Sequence, residues 1–151
     1  MSLIIRPPDL SDFEQWNSLW VSYNESYGRV GQSALSETIT RTTWNRFFDP
    51  EEQVHCFVAE YDGEIVGLAH SVFHRNTILV EPTCYLQDLF TSSSLRGKGV
   101  GQALIDGVFE HAANAGVKSI YWHTHLTNDA AMKLYDKVAT NTDFTVYRKR
   151  L

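Results

Sequence analysis

Residues 94 to 105 read SLRGKGVGQALI, and Arg96, Gly97, Lys98, Gly99 and Gly101 place two cations and three glycines within six positions. A glycine inside a helix costs about 0.5–1 kcal/mol relative to alanine, so three beside the apolar Val100, Ala103, Leu104 and Ile105 need a reason. The chemistry they offer is anion binding. The run reads as the junction between a strand end and a helix start, where several backbone N–H groups lack intrahelical acceptors. Glycines let an anion approach the backbone, the helix dipole favours negative charge, and Arg96 and Lys98 add charge-assisted contacts. A phosphate-bearing ligand is the expectation. A Walker loop would need glycine at 92 and Ser or Thr after Lys98, where the chain has Ser92 and Gly99. A dinucleotide fingerprint started at Gly97 meets Gln102 in place of its last glycine, and one started at Gly99 meets Leu104. The other reading of the same residues is tight strand-to-helix packing with solvated charges.

Other reactive side chains form no such cluster in sequence. Cys56 and Cys84 make no CxxC knuckle and read as buried free thiols. Strand alternation puts Cys84 on one side with Leu86 and Asp88, where core packing suits it better than acyl transfer. His70 and His74 share one strand face, as do His123 and His125, but no carboxylate or thiolate completes a ligand set at recognisable spacing, so no metal is expected.

The elements that must position the loop follow from pattern. LIIR is a short strand ended by Pro7 and Pro8, and Ser11 with Glu14 has capping-box spacing ahead of Phe13, Trp16, Leu19 and Trp20. A second helix is expected over residues 36–48, before Pro50. HCFVAEY and EIVGLAHSVF flank Asp62-Gly63, the favoured two-residue hairpin turn. TCYLQDLFT is the strand that feeds the basic loop. The helix after it carries Val100, Ala103, Leu104, Val108, Ala112 and Ala115 on one face and stops at Gly116. KSIYWHTH is a further strand, Asn128 to Val138 a helix, and FTVYRKR a closing strand. This order implies an α/β sandwich on a mixed sheet.

The chain of 151 residues, 43% hydrophobic and 21% charged, has no repeat, linker or low-complexity run, so residues 1–151 read as a single domain. Its formal charge of −5 speaks against nucleic acid and anionic membrane as partners and favours a cationic ligand. No apolar stretch approaches the roughly 20 residues of a membrane span, and MSLIIRPPDL is too short and too soon broken for a secretory signal. A cytoplasmic location is expected.

With these elements in order, the chain resembles the GCN5-related N-acetyltransferase (GNAT) superfamily. RGKGVG is similar to that family's Arg/Gln-x-x-Gly-x-Gly/Ala pyrophosphate loop, and the YLQDLF strand before it and the NDAAMKLY segment after it fall in the family's order. The nearest resemblance is to small bacterial and fungal members and to polyamine acetyltransferases, and at motif level it covers about residues 83–148. It implies a GNAT-like α/β sandwich whose central sheet is splayed, with acetyl-CoA lying between two diverging parallel strands. It also implies pantetheine contacts from Leu89, Phe90 and Thr91, and pyrophosphate contacts from Arg96, Gly97, Lys98, Gly99, Val100, Gly101 and Gln102. Tyr135 matches the tyrosine beside the coenzyme sulfur, and Asn128 the asparagine that holds pantetheine or a water.

The implied reaction is attack of a primary amine on a thioester. A lysine-like amine with pKa near 10.4 is charged at pH 7, and its deprotonation costs about 4–5 kcal/mol, so a base or water relay is useful. Polyamine acetyltransferases carry glutamate where this chain has Gln87, and an amide cannot take a proton. Asp88 follows, but alternation points it to the other side of the strand unless a bulge re-aims it. Gln87 positions a water on this reading, and His125 acts through water. Glu25 and Tyr27, between the first two helices, are the residues expected to meet a cationic acceptor by charge and by ring face. The family's glycine before the last aromatic is Asp143 here, ahead of Phe144.

The leading expectation is an acetyl-CoA-dependent N-acetyltransferase acting by direct transfer on a small amine, a polyamine-like amine or a protein lysine. A homodimer falls within what the resemblance allows. Two other classes stay open: an acyl-CoA sensor without turnover, and a nucleotide-phosphate binder of another kind.

Overall fold

The computed structural model describes residues 2–151. In chain order it holds β1 (Leu3–Arg6), α1 (Phe13–Ser26), α2 (Glu37–Arg46), β2 (Val54–Tyr61), β3 (Glu64–His74), β4 (Thr83–Thr91), α3 (Val100–Asn114), β5 (Ile120–Tyr121) and α4 (Asp129–Val138). The strands form one sheet in the order β1-β2-β3-β4-β5, antiparallel except for the parallel β4–β5 pair. The fold is α/β on a mixed sheet. The β2–β3 hairpin turns at Asp62 and Gly63, with φ of 49° and 88°, the pair of positive values that a two-residue primed turn requires.

Each sheet face has its own core. Trp16, Trp20 and Tyr23 of α1, spaced by four and three residues, pack with Trp44 of α2 onto Cys56, Val58, Ile65 and Leu68 of the hairpin. Trp16 is fully buried, and truncating such a ring to alanine costs about 3–5 kcal/mol. The opposite face takes Val100, Leu104, Ile105, Val108 and Ala112 of α3 against Ala59, Val66, Ala69, Cys84 and Leu86. Ile105 belongs to the buried stripe, while Ala115, expected there, is the exposed C-cap; Gly116 at φ 83° then ends the helix. Both cysteines are buried free thiols, and burial pushes the Cys84 thiol up to about 11, a protonated packing group at neutral pH.

Two expectations on strands are corrected. Only Ile120–Tyr121 of the KSIYWHTH run is strand, because β4 and β5 pair just at Cys84↔Ile120 and Tyr85↔Tyr121 and then part. The sheet is splayed at that point, and residues 122–125 have no ladder to join. FTVYRKR forms no strand either. Phe144 is 92% and Tyr147 95% exposed, so the β pattern of that run meets no neighbouring strand among the described residues. A strand exists through its partner's hydrogen bonds, and local propensity cannot supply one.

No helix among the described residues is long and apolar enough to cross a membrane.

Between β2 and α3 lies a histidine pair that makes stability depend on pH. The rings of His55 and His111 stand 4.7 Å apart between Phe57 and Phe73, and His55 Nε2 and His111 Nδ1 are buried without partners. Burial, with the facing His111, holds His55 down to about 4. The unfolded chain then binds more protons than the folded chain between about pH 6.5 and pH 4, so this site loses stability as pH falls through that window and is flat on either side. For a half-buried, partly screened site the expected loss is about 1–2 kcal/mol. Thermal melts at pH 7 and pH 4.5 check it: His55→Phe narrows the drop in Tm between the two pH values. An equal drop in both proteins removes His55 as the cause.

Candidate active site

The strand that carries the site is interrupted at one residue. β3 pairs β4 as His70↔Asp88 and then Ser71↔Leu86, so Gln87 is the extra residue of a bulge. A bulge breaks the alternation of faces, and its effect here can be followed along the strand. Cys84 and Leu86 belong to the α3 core, whereas Asp88 lies on the α1–α2 side, and Gln87 and Asp88 line the same cavity. Past the bulge Leu89 returns to the α3 core and Phe90 packs on the α1 side.

Asp88 is 9% exposed and is held by a buried relay of rings. Trp16 Nε1 donates to His70 Nε2 at 3.0 Å, and His70 Nδ1 stands 2.9 Å from Asp88 Oδ2. An indole N–H only donates, so His70 Nε2 is the acceptor and Nδ1 carries the proton given to the carboxylate. His70 therefore orients Asp88 and is itself capped by Trp16. Burial and the nearby Asp88 raise the Tyr23 phenol well above the ordinary tyrosine range, so it stays protonated beside the carboxylate. Trp16, His70 and Tyr23 were not picked out by sequence reasoning as site residues. The regular spacing that makes Trp16 and Tyr23 a core stripe hides this second role.

The cavity, of about 470 Å³, lies between the α1–α2 segment and the sheet, with Trp20, Asn24, Arg29, Phe47, Gln87 and Asp88 in its wall. Glu25 and Tyr27 are exposed and neither lines the cavity; the Tyr27 ring lies 5.1 Å from the Tyr23 ring and 5.5 Å from His125. His125 thus faces Tyr27, while His123 faces Tyr85, with 3.3 Å between Nδ1 and the phenol oxygen. His74 bonds Tyr121 at 2.8 Å. The histidines that share strand faces in sequence serve separate contacts.

Beyond the bulge, Leu89, Phe90 and Thr91 pair with Ala69, Leu68 and Gly67 on one side, and their other edge is the one β5 has left. Ser93–Leu95 makes one short turn, and Gly97 and Gly99, at φ 76° and 84°, bring the chain into α3. These are left-handed values that favour glycine. The amides of residues 97–102 have no acceptor among the described residues, because the first bond of the helix end is Ala103 N to Gly99 O. Six unpaired N–H groups on an exposed glycine turn at a helix N-terminus suit a diphosphate. Arg96 donates from Nε to Thr91 O at 3.2 Å and lies 5.5 Å from the Phe90 ring, which sets its guanidinium across the strand exit. Lys98 is exposed.

Across the gap stands α4. Asn128 is its N-cap, with Oδ1 accepting from Ala131 N at 3.3 Å, which leaves its amide N–H₂ for a ligand. Tyr135 is half-buried, 5.4 Å from Trp122, and burial together with Tyr27 raises its phenol above the usual value, so it holds a proton at neutral pH. The tip of α3 meets both walls: a Cβ built at Gly101 would lie 3.6 Å from Leu134 and 3.9 Å from Thr91 Oγ1.

Comparison with known proteins agrees with this architecture. The Acetyltransferase (GNAT) family matches residues 14–139. The chain is 32% identical over 150 residues to the D-amino-acid N-acetyltransferase HPA3 of Saccharomyces cerevisiae, covering 97% of this chain and 90% of that protein. It is 25% identical over 133 residues to the uncharacterized N-acetyltransferase YhfO of Bacillus subtilis, covering 88% and 86%. Among solved structures it superposes on AAC(6')-Iy in complex with a bisubstrate analog, CoA-S-monomethyl-acetylneamine, with TM-score 0.82, 20% identity and 100% of both chains covered. The ribosomal-protein-alanine N-acetyltransferase of Brucella melitensis biovar Abortus matches with TM-score 0.82 and 18% identity, covering 99% and 100%. At these identities the two structures speak to the fold.

Proposed function

The chain belongs to the GNAT acetyltransferase family, and from that membership we propose that it moves the acetyl group of acetyl-CoA directly onto a primary amine held in the α1–α2 cavity. The observation that carries this reading is the bulge at Gln87, which turns Asp88 into the cavity wall one strand segment before the unpaired amides of residues 97–102. The yeast relative is named for D-amino acids, so amino acids are the first acceptors to try.

In this reading acetyl-CoA supplies the thioester. Its diphosphate takes the amides of residues 97–102, with Arg96 and Lys98 beside them, and its pantetheine takes the free edge of Leu89 to Thr91 and the amide of Asn128. The acceptor enters as an ammonium, and Asp88, fixed by His70, takes its proton directly or through a water on Gln87; His125, beside Tyr27, is the other candidate for a water relay. The neutral amine forms the new C–N bond, the C–S bond breaks as the Tyr135 hydroxyl gives its proton to the departing sulfur, and the second proton that nitrogen sheds as the amide forms passes through solvent to restore that hydroxyl.

A screen of amines with detection of free thiol tests the reading. Acceptor-dependent release is expected, and acetyl-CoA binding without release across a broad panel would make the chain a sensor. Tyr135→Phe keeps the ring and its packing on Trp122, so acetyl-CoA affinity is expected to hold within a few-fold while turnover falls by about 10–10³-fold. The deficit shrinks with a better leaving thiol. Parental turnover in the variant under conditions where chemistry limits the rate would remove the acid role.

A further inference from the structure

We propose that Arg29 binds a carboxylate on the acceptor, so that the substrate is an amino acid or another small amino-carboxylate; the inference rests on the acetyl-transfer reading only for the fate of the amine. Arg29 lies in the loop after α1, half-buried in the wall of the cavity that also holds Asp88. Its backbone N donates to Asn24 O at 3.0 Å, and its Nε donates to Asn24 Oδ1 at 2.6 Å. Asn24 is 4% exposed, and its Nδ2 is spent on Trp20 O at 2.8 Å. The amide therefore cannot turn round, and its oxygen faces the guanidinium permanently. Tyr27 closes the other side, with its ring centroid 5.2 Å from Cζ.

This arrangement fixes the plane of the guanidinium and uses one of its nitrogens. The two terminal nitrogens have no hydrogen bond and no ion pair among the described residues. Arg46, the cavity's other guanidinium, has Glu52 at 3.8 Å. A half-buried cation placed by a buried amide in the wall of a cavity loses hydration that an anion in the cavity would restore. Two parallel N–H donors match a carboxylate in bidentate geometry.

The cavity wall is thus dipolar. Asp88 meets an ammonium and Arg29 meets a carboxylate, the two charges of an amino acid. A polyamine would bring a second ammonium towards Arg29, and a peptide-bound lysine brings no carboxylate to it.

The test compares alanine in both enantiomers with alaninamide and ethylamine, using the full chain, acetyl-CoA and thiol detection. Alaninamide has the less basic α-amine, so a preference for the acid cannot come from amine basicity. The parent is expected to favour alanine over alaninamide in kcat/KM by about 10²-fold, as expected where a paired charge is lost. Arg29→Gln brings that ratio to near one, chiefly through KM, and Arg29→Lys, which keeps the charge but not the fork, gives an intermediate ratio. Calorimetry of alanine into the coenzyme A-saturated protein gives the same ranking without turnover. Equal use of acid and amide by the parent, or an equal loss with both in Arg29→Gln, overturns the proposal. Failure of the acetyl-transfer reading looks different: no amine releases thiol, yet alanine still binds the coenzyme-loaded parent and not Arg29→Gln, which supports the carboxylate site.

Discussion

Valine at Gly99 or at Gly101 is expected to abolish acetyl-CoA binding in a chain that still folds. The two positions fail for different reasons. Gly99 sits at φ 84°, where a β-branched residue is strained, so the turn that carries the unpaired amides of residues 97–102 must shift. Gly101 has ordinary helical geometry, and a bare Cβ there finds only van der Waals neighbours at 3.6 and 3.9 Å. The added γ-methyls of valine would enter the gap between Thr91 and Leu134, beside the unpaired amides, and exclude a diphosphate from them. Because no helical strain accompanies the second change, it stays informative even where the first unfolds the loop. Calorimetric affinity near the parental value in both folded variants would refute the phosphate-loop assignment.

Asp88→Asn is expected to lower kcat/KM by about 10²–10⁴-fold, the range of a lost general base. Asparagine can still accept the His70 Nδ1 proton, so the ring relay from Trp16 and the shape of the cavity survive while proton uptake does not. The sign of the pH effect is fixed by the chemistry. The parent takes up the ammonium and Asp88 removes its proton, whereas Asp88→Asn must capture an amine already neutral, so kcat/KM of the variant gains a limb that rises with pH towards the pKa of the amine and its deficit shrinks there. His125→Ala run beside it separates the two candidates. A rate and pH profile unchanged by Asp88→Asn would leave the substrate amine, or a water on Gln87, to manage the proton alone.

Most of the layered architecture was legible because each element declares itself locally. Asp62-Gly63 announces a primed turn, Trp16, Trp20 and Tyr23 keep a helical period, and the basic glycine run marks a strand-to-helix junction whatever surrounds it. The bulge at Gln87 was legible only as a condition: alternation required one if Asp88 was to face the cavity, but YLQDLF carries no glycine or other mark that places it. The FTVYRKR run shows the converse. Its pattern is that of a strand, and no strand forms, because pairing depends on a partner edge that this stretch of sequence does not contain.

By itself, then, the amino-acid sequence determined the family, the α/β class and the glycine turn that leads from β4 into α3, since loop glycines, helical periods and hairpin dipeptides act over a few neighbouring residues. Only the tertiary structure decided which side chains share the cavity. Asp88 meets His70 across 18 positions and His70 meets Trp16 across 54, contacts set by sheet register and helix packing. Arg29 joins Asp88 by the same route, from the segment between α1 and α2 in which sequence reasoning singled out Glu25 and Tyr27 instead. Charges so far apart along the chain come to line one cavity only when sheet register and helix packing bring them there.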